Sequence, residues 1–303
     1  MIYTLTLNPS IDYLVRLDKV KFGELNRMQE EKFLAGGKGI NVSRILNQLS
    51  YKTTSFGFIG GFTGEFIKKE LKNEGIITDF IEIENPTRIN IKLKTKEETE
   101  INSHGPTIDK SSADLLLAKI SELQSNDLLV VSGSKAKNLP EDYYQKIIDR
   151  VKKADAEFII DTTGEELMDA LAARPLLVKP NGIELAELYD VTLESEADYI
   201  QYGKKLIKEG AKFAIVSLGG EGALFFSRDQ IYRGISPKGL VKNTVGAGDS
   251  MVAAFAGKYL ESSDELEAFK LALASGSATA FTEDLAKKEE IDKLLSEVKV
   301  IKI

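Results

Sequence analysis

The chain has 303 residues and a formal net charge of −7, and 43% of its residues are hydrophobic. This acidic balance gives no general attraction for nucleic acid or an anionic membrane, and the lack of cysteine excludes disulfides, thiol nucleophiles and cysteine-ligated zinc. The only histidine, His104, lies in the turn-like stretch "INSHGPTID", so we set aside Ser-His-Asp hydrolysis and multi-histidine metal sites. Without an apolar run of membrane-spanning length or a signal-peptide pattern, the expected location is the cytoplasm.

The first hundred residues combine helices and strands with two stretches of extended, one-sided character. An opening strand over residues 2–7 precedes the first extended stretch, at about 10–34. The second extended stretch, at about 79–103, has the polar alternation of a sheet with one wet face. Between the two stretches, the predicted elements are a helix over 39–49, a strand over 53–59 and a helix over 63–75.

From about residue 111 the chain alternates helices with short apolar strands, which is typical of a parallel sheet covered on both faces. Two later strands, near 222–226 and 230–234, predict an antiparallel addition at one edge. The parallel strands are expected at 127–133, 157–161, 176–179 and 212–218. We therefore predict one α/β domain over residues 1–303, in which the two extended stretches pair into a small lid sheet. Ligands of open α/β sheets bind beyond the carboxyl ends of the strands, so the lid should cover that edge.

The stretch "NTVGAGDSMVAAF", residues 243–255, places two glycines and an alanine before an aspartate at the start of a helix of small and apolar residues. One interpretation is a tight turn followed by an aspartate that favours the helix dipole. The other is an anion site, because free N–H groups at a helix start bind phosphate and glycine allows a close approach. Asp249 would then lie where a general base is useful.

Neither standard nucleotide motif is present. "AGGKGIN" is not a Walker loop because Gly39 follows Lys38, and the helix after "GAGDSM" leads to another helix rather than to the strand of a Rossmann unit. The stretches "AGGKGINVSRIL" and "NTVGAGDSMVAAF" instead resemble the PfkB or ribokinase-like carbohydrate kinases, and the resemblance covers essentially the whole chain. It implies a ribokinase-like fold, with a central mostly parallel sheet, flanking helices and a β-sheet lid. It also implies a phosphotransferase that uses ATP and Mg²⁺.

The resemblance implies roles for particular residues. Asp249 would accept the proton of the attacking sugar hydroxyl, while backbone N–H groups of Gly246, Ala247 and Gly248 would bind the transferred phosphoryl group. The residues expected to bind the phosphosugar are Asp12, Gly36, Gly37, Lys38, Gly39, Asn41, Arg88, Ser134 and Asp249. Those expected to bind ATP are Lys179, Asn181, Ser217, Leu218, Gly219, Gly220, Glu221, Gly222 and Gly248. Asn181 and Glu184, in "KPNGIE", are expected to bind Mg²⁺ through water, and the alternative is an ordinary helix start.

The substrate is the least determined part of this hypothesis. The stretches "TLNPSIDY" and "GFIGGFTGEFI" are most similar to family members that phosphorylate fructose 1-phosphate at C6, giving fructose 1,6-bisphosphate, with tagatose-6-phosphate kinases close by. A β-fructofuranose ring is nearly two-fold symmetric, so one pocket accepts a phosphate on C1 or on C6, and fructose 6-phosphate stays a candidate. A non-catalytic phosphosugar-binding protein is the alternative of another class, and the intact Asp249 argues against it.

The lid also predicts an assembly. One face of its sheet would lie toward the sugar, and the other would carry apolar residues such as Tyr13, Val15, Ile89, Ile91 and Leu93. An uncovered apolar sheet face with open edges is an association hazard. The resemblance implies that two lids clasp each other in a homodimer. Arg27, on the lid, is a candidate for a site in the partner subunit.

Overall fold

The computed structural model describes residues 1–96 and 98–303, and their strands form a large and a small sheet. The strands are β1 (Ile2–Thr6), β2 (Ser10–Arg16), β3 (Glu30–Gly36), β4 (Thr53–Gly60), β5 (Ile77–Thr78), β6 (Ile81–Ile83), β7 (Arg88–Lys94), β8 (Glu98–Ile101), β9 (Leu128–Ser132), β10 (Glu157–Asp161), β11 (Leu177–Val178), β12 (Phe213–Ser217), β13 (Ala223–Phe226), β14 (Ile231–Ile235) and β15 (Lys299–Lys302). The helices are α1 (Lys38–Gln48), α2 (Gly61–Asn73), α3 (Lys110–Ile120), α4 (Tyr143–Lys153), α5 (Gly164–Ala172), α6 (Gly182–Leu188), α7 (Glu196–Glu209), α8 (Ala247–Ser262), α9 (Glu265–Ala280) and α10 (Lys288–Leu295).

The large sheet confirms the predicted parallel core. Its strand order is β15-β14-β13-β12-β11-β10-β9-β1-β4-β5, with β6 also paired to β4. All pairs from β12 to β5 are parallel, because each strand returns through a helix on one face of the sheet. The predicted antiparallel edge is confirmed as β13 and β14, and β15 extends it.

Helices cover both faces of this sheet, and each face has its own buried core. One core joins the sheet to α3, α4, α5, α6 and α7, and includes Phe158 and Ile147. The other joins it to α1, α8, α9 and α10, and includes Phe225 and Phe255. Strands that are buried on both faces have continuous apolar sequences. The short apolar strands of this chain therefore predicted a sheet with helices on both faces. Among the described residues, no helix combines the length and apolar character needed to cross a membrane.

The small sheet has the order β3-β2-β7-β8 and packs over α2 and the start of α1. Its register pairs Asp12 with Asn90 on one face and Tyr13 with Ile91 on the other. Strands from both predicted extended stretches therefore meet in one sheet. The start predicted for the second stretch is wrong, however, because residues 81–83 pair with β4 in the large sheet. Only the part from Arg88 onward belongs to the small sheet.

Candidate active site

A cavity of about 1240 Å³ lies between the small sheet and the carboxyl ends of the parallel strands. This is the edge at which α/β sheets bind ligands, because the strand ends and the helix N-termini meet there. Each wall comes from a different part of the chain: the small sheet, the ends of β9 to β12, and the start of α8. The predicted site residues that line it are Asp12, Gly37, Lys38, Asn41, Arg88, Ser134, Lys179, Asn181, Glu184, Ser217, Gly219, Gly220, Glu221, Gly222, Gly246, Ala247, Gly248 and Asp249.

The glycine turn before α8 forms one end of the cavity. Gly246 precedes the helix with a φ of 81°, a left-handed conformation that side chains disfavour. The first backbone hydrogen bond of the helix runs from Ser250 N to the Gly246 carbonyl at 2.8 Å. Ala247 N donates to the Thr244 carbonyl at 3.3 Å, so the first-turn amides left for an anion are those of Gly248 and Asp249.

Asp249 lies in this first turn and is buried, with 5% of its surface exposed. Asn41, on α1, donates from Nδ2 to Asp249 Oδ2 at 2.8 Å. Burial and, to a smaller extent, the nearby Asp161 raise the pKa of Asp249 to about 6, against the opposing effects of Asn41, Lys38 and Lys179. A carboxyl group with this pKa is ionised at neutral pH but still binds a proton readily, as a general base requires.

Asp161 is a residue of this site that sequence reasoning missed. It ends β10, is 2% exposed and lines the cavity. Its Oδ2 accepts from Lys38 Nζ at 3.2 Å, and its Oδ1 lies 3.6 Å from Lys179 Nζ. The two lysines hold the pKa of Asp161 below its ordinary value against the effect of burial. An acidic residue at the carboxyl end of a predicted parallel strand was the available signal.

Arg88 opens β7 of the small sheet and reaches the cavity from the side of the small sheet. Its Nη1 donates to Ser103 O at 2.8 Å and its Nη2 to Asn8 O at 2.9 Å. The buried Nε has no hydrogen-bond partner among the described residues. Burial lowers the pKa of Arg88, and Asp12 compensates only in part. The guanidinium is thus fixed by carbonyl groups while it keeps capacity for an anion.

Asp12 is on β2, beside Arg88 in the small sheet. Its Oδ1 accepts from Ser10 Oγ at 2.8 Å and from Asn90 Nδ2 at 3.1 Å. These two donors fix the carboxylate on the cavity side of the sheet, because Ser10, Asp12, Arg88 and Asn90 share one face of the pleat. Asp12 can therefore accept hydrogen bonds from hydroxyl groups of a ligand.

Asn181 and Glu184 begin α6 at the opposite side of the cavity. They form a capping box, in which Glu184 N donates to Asn181 Oδ1 and Asn181 N donates to Glu184 Oε2, both at 2.9 Å. The helix-start interpretation of this stretch is thus correct as local structure. One carboxylate oxygen of Glu184 is outside the box, and the residue still lines the cavity. The described residues contain no group of three or more acidic or histidine side chains that could hold a metal directly.

Four of the predicted residues do not line the cavity. A Cβ on Gly36 would lie 2.6 Å from Asp12 Oδ2, and one on Gly39 would lie 2.6 Å from the Leu5 carbonyl. These two glycines thus allow close packing beneath the site rather than forming its wall. Leu218 packs against the core. Arg27 is exposed in the segment between β2 and β3.

The comparisons with known proteins agree over nearly the whole chain. A family model described as pfkB family carbohydrate kinase matches residues 5–291. The chain is 45% identical to 1-phosphofructokinase from Bacillus subtilis over 303 residues, which cover 100% of both proteins. It is 36% identical to D-tagatose-1-phosphate kinase from Bacillus licheniformis, with 99% of each covered. The crystal structure of phosphofructokinase-2 from Escherichia coli in complex with substrates and products is similar at a TM-score of 0.93, with 31% identity and 98% of each chain covered.

Proposed function

Because this chain belongs to the pfkB family of carbohydrate kinases, which transfer a phosphoryl group to an alcohol, we propose that its substrates are ATP and fructose 1-phosphate. The C6 hydroxyl oxygen attacks the γ-phosphorus, and the bond from that phosphorus to the β,γ-bridging oxygen breaks. ADP leaves with the bonding electron pair, and the sugar product is fructose 1,6-bisphosphate. The observation that carries the proposal is the buried Asp249 carboxylate at a helix N-terminus, in the same cavity as Arg88.

Asp249 is the general base of this reaction. It takes the proton of the C6 hydroxyl as the new phosphorus–oxygen bond forms, and its pKa of about 6 suits that role at neutral pH. Asn41 orients the carboxylate through its bond to Oδ2. The amides of Gly248 and Asp249 face the negative charge of the transferred group, because phosphoryl transfer is accelerated chiefly by positioning and charge stabilisation.

Arg88 binds the phosphate that the sugar already carries. The buried charge of Arg88 suits a phosphate oxygen, because two carbonyl bonds hold its guanidinium in place and each Nη keeps a second N–H to donate. Lys38 is assigned differently from the sequence hypothesis. Its ammonium is held by Asp161 and attracted by Asp249 and Glu184, so it faces the transferred phosphoryl group rather than the sugar phosphate.

Nucleotide and metal are assigned to the wall opposite the small sheet. Lys179 and the turn from Ser217 to Gly222 bind the ATP phosphates. Mg²⁺ usually keeps several water ligands and needs only one or two carboxylates beside the substrate phosphates, so Glu184 and Asn181 fit it as partners of metal-bound water. Bound there, Mg²⁺ would supply charge neutralisation for the phosphates.

D-Tagatose 1-phosphate is the second candidate substrate, because the chain is 36% identical to a kinase named for it. Tagatose and fructose differ only in the configuration at C4. Asp12 can accept a hydrogen bond from a ring hydroxyl such as the one on C4. The preference for fructose or tagatose therefore depends on the Asp12 side of the cavity. Both candidates carry the phosphate on C1 and present the C6 hydroxyl to Asp249.

We also propose a two-fold homodimer through the outer face of the small sheet. The register places Tyr13, Phe33, Ile91 and Ile101 on that face. Helix α2 covers one end of the face, where Phe66 contacts Phe33, but Phe33 and Ile101 are still 48% and 55% exposed. A second copy covers this apolar face, as the predicted clasp requires. The exposed Arg27 then lies on a segment that can approach the site of the partner.

An assay of ADP release across four sugars tests the substrate. The sugars are fructose 1-phosphate, D-tagatose 1-phosphate, fructose 6-phosphate and tagatose 6-phosphate. We expect the highest kcat/KM on fructose 1-phosphate, by about tenfold or more over the C4 epimer, since one mispaired hydroxyl in a polar site costs at least about 1.4 kcal/mol. A preference for a 6-phosphate would overturn the assignment of the sugar, and no ADP release with any of them would favour a non-catalytic binding protein.

A further inference from the structure

Asp161 joins two lysines that come from different sides of the cavity. Lys38 begins α1, just after β3 of the small sheet, on the side proposed to bind the sugar. Lys179 follows β11, on the side proposed to bind the nucleotide. Both ammonium groups lie on the one Asp161 carboxylate, Lys38 on Oδ2 at 3.2 Å and Lys179 on Oδ1 at 3.6 Å. The Asp161 carboxylate thus links the two substrate sides of the cavity electrostatically.

The ammonium groups are held next to the glycine turn. A Cβ on Gly248 would lie 2.9 Å from Lys179 Nζ, so this lysine lies directly against the first turn of α8. The negative charge of Asp161, and to a smaller extent those of Asp249 and Glu184, raise the pKa of Lys38. Lys179 and Asp161 are both buried, so without their pairing each would be an isolated charge in a poorly solvated place. Lysine is a flexible point charge, and it needs such a partner to be held in one place.

We propose that Asp161 is a positioning residue for phosphoryl transfer, which holds the Lys38 and Lys179 ammonium groups on either side of the transferred group. The inference rests on the proposed kinase function. Each carboxylate oxygen of Asp161 faces a lysine ammonium group, so in this role Asp161 acts on the reaction through the two lysines. The group of one carboxylate and two ammonium groups carries a net positive charge by itself, and its ammonium groups are directed at the phosphoryl oxygens as negative charge moves onto them.

The test is Asp161→Asn, which keeps the size of the side chain and removes its charge. Misplaced catalytic groups cost on the order of 10²-fold in rate, so we expect kcat to fall by about 10²-fold. Both kcat/KM values, for ATP and for fructose 1-phosphate, should fall by about the same factor, because the transfer step is common to them. The matched control is Asp127→Asn, another buried aspartate that pairs with the N-terminal ammonium at 3.1 Å, far from the cavity. It should lower Tm without changing kcat per folded molecule.

A double-mutant cycle separates positioning from fold stability. In a Lys38→Met background, Asp161→Asn should cost about tenfold or less, because half of the arrangement is already lost. A loss of about 10²-fold in both backgrounds would show that Asp161 does not act through the lysine. If Asp161→Asn does not fold, Asp161→Glu keeps the charge and moves the carboxylate, and kcat equal to that of the wild type would overturn the inference.

The outcomes for the two proposals are distinct. A wild-type chain that phosphorylates fructose 1-phosphate, together with an Asp161→Asn variant of unchanged kcat, would overturn the positioning role alone. A wild-type chain that releases no ADP with any sugar phosphate would overturn both proposals, since there would be no transfer step to position.

Discussion

The glycine turn with α8 and the small sheet form opposite walls of one cavity, and they are built in opposite ways. In α8, every residue from Asp249 to Gly257 is buried, and a Cβ on Gly276 of the neighbouring α9 would lie 2.6 Å from Met251 Cγ. In the small sheet, all four residues of β8 are exposed. Small residues let the two helices pack closely, so the turn cannot move without disturbing the core.

The small sheet is less buried than α8 and carries ion pairs between its strands. Lys92 pairs with Glu100 at 2.7 Å, and Arg16 with Glu30 at 3.1 Å. Ion pairs with exposed partners contribute little to stability, and segments with few buried contacts open at low free-energy cost. On the proposed function, the reacting groups would lie on the rigid wall, whereas the groups that recognise the sugar would lie on the wall that can adapt. Each prediction below acts on one of the two walls.

The largest effect is expected on the rigid wall, from Asp249→Asn. The change removes the base and keeps the shape of the side chain, so kcat should fall by about 10²- to 10⁴-fold while both KM values change little. Steady-state kinetics on the folded variant measure this. Asp264→Asn is the control, because Asp264 caps the neighbouring α9 through Leu266 N and Glu267 N, and Asn is an equally good cap. Turnover close to that of the wild type in Asp249→Asn would refute the general-base role.

The next effect is on the adaptable wall, from Arg88→Ala. Loss of a buried charged hydrogen bond costs about 1.5–3 kcal/mol, so KM for the phosphosugar should rise by roughly 10- to 150-fold. KM for ATP should change much less, because ATP binds at the other wall. Lys94→Ala is the matched control, since Lys94 ends the same strand in an ion pair with Glu98 at 2.5 Å. Equal changes in the two KM values would mean that Arg88 only supports the sheet.

A smaller effect, about tenfold per pH unit, is expected from acid. Asp249 must be ionised to accept a proton, so kcat at saturating substrate should fall about tenfold for each unit below its pKa of about 6. The charged groups that face it are Asp161, Lys38 and Lys179. Since the folded pKa is above the ordinary value of 3.8, ionising Asp249 costs stability as pH rises between about 4 and 6. A kcat that stays level down to pH 5 would contradict the assignment.

Much of the fold could be predicted because the patterns were long and repeated. The alternation of helices with apolar strands specified the parallel sheet, but short elements were misjudged. Residues 81–83 alternate like an edge strand, yet their pairing with β4 depends on contacts that no local pattern encodes. The chain end "VKVIK" also alternates, and its pairing as β15 was missed. The spacing of Ser262 and Glu265 is that of a capping box, but Ser262 ends α8, Ser263 is left-handed at a φ of 56°, and Asp264 caps α9.

The site was predictable where a motif joined several residues and not where single residues meet in space. The glycine turn and Asp249 are contiguous in sequence, so one stretch described them. Asp161 is a single acidic residue at the end of a strand. In the sequence, such a residue cannot be distinguished from an ordinary aspartate on the surface. The position of Lys38 beside Asp161 depends on two segments 123 residues apart, so no spacing could indicate it.

The smallest effect, a twofold change in mass, tests the outer face of the small sheet. Ile101 is the residue to substitute, because it is exposed and pairs with Ile91. Val15 is unsuitable because it is already buried within its own subunit. Light scattering at micromolar concentration should give about twice 33.4 kDa for the wild type, and Ile101→Asp should shift the mass toward that of a single chain, because a charge there would be desolvated in the dimer. Ile301→Asp is the control, since Ile301 is equally exposed, but on β15 at the far edge of the large sheet. A wild type that is monomeric and fully active would show that the adaptable wall needs no second copy, and equal dissociation of both variants would place the interface elsewhere.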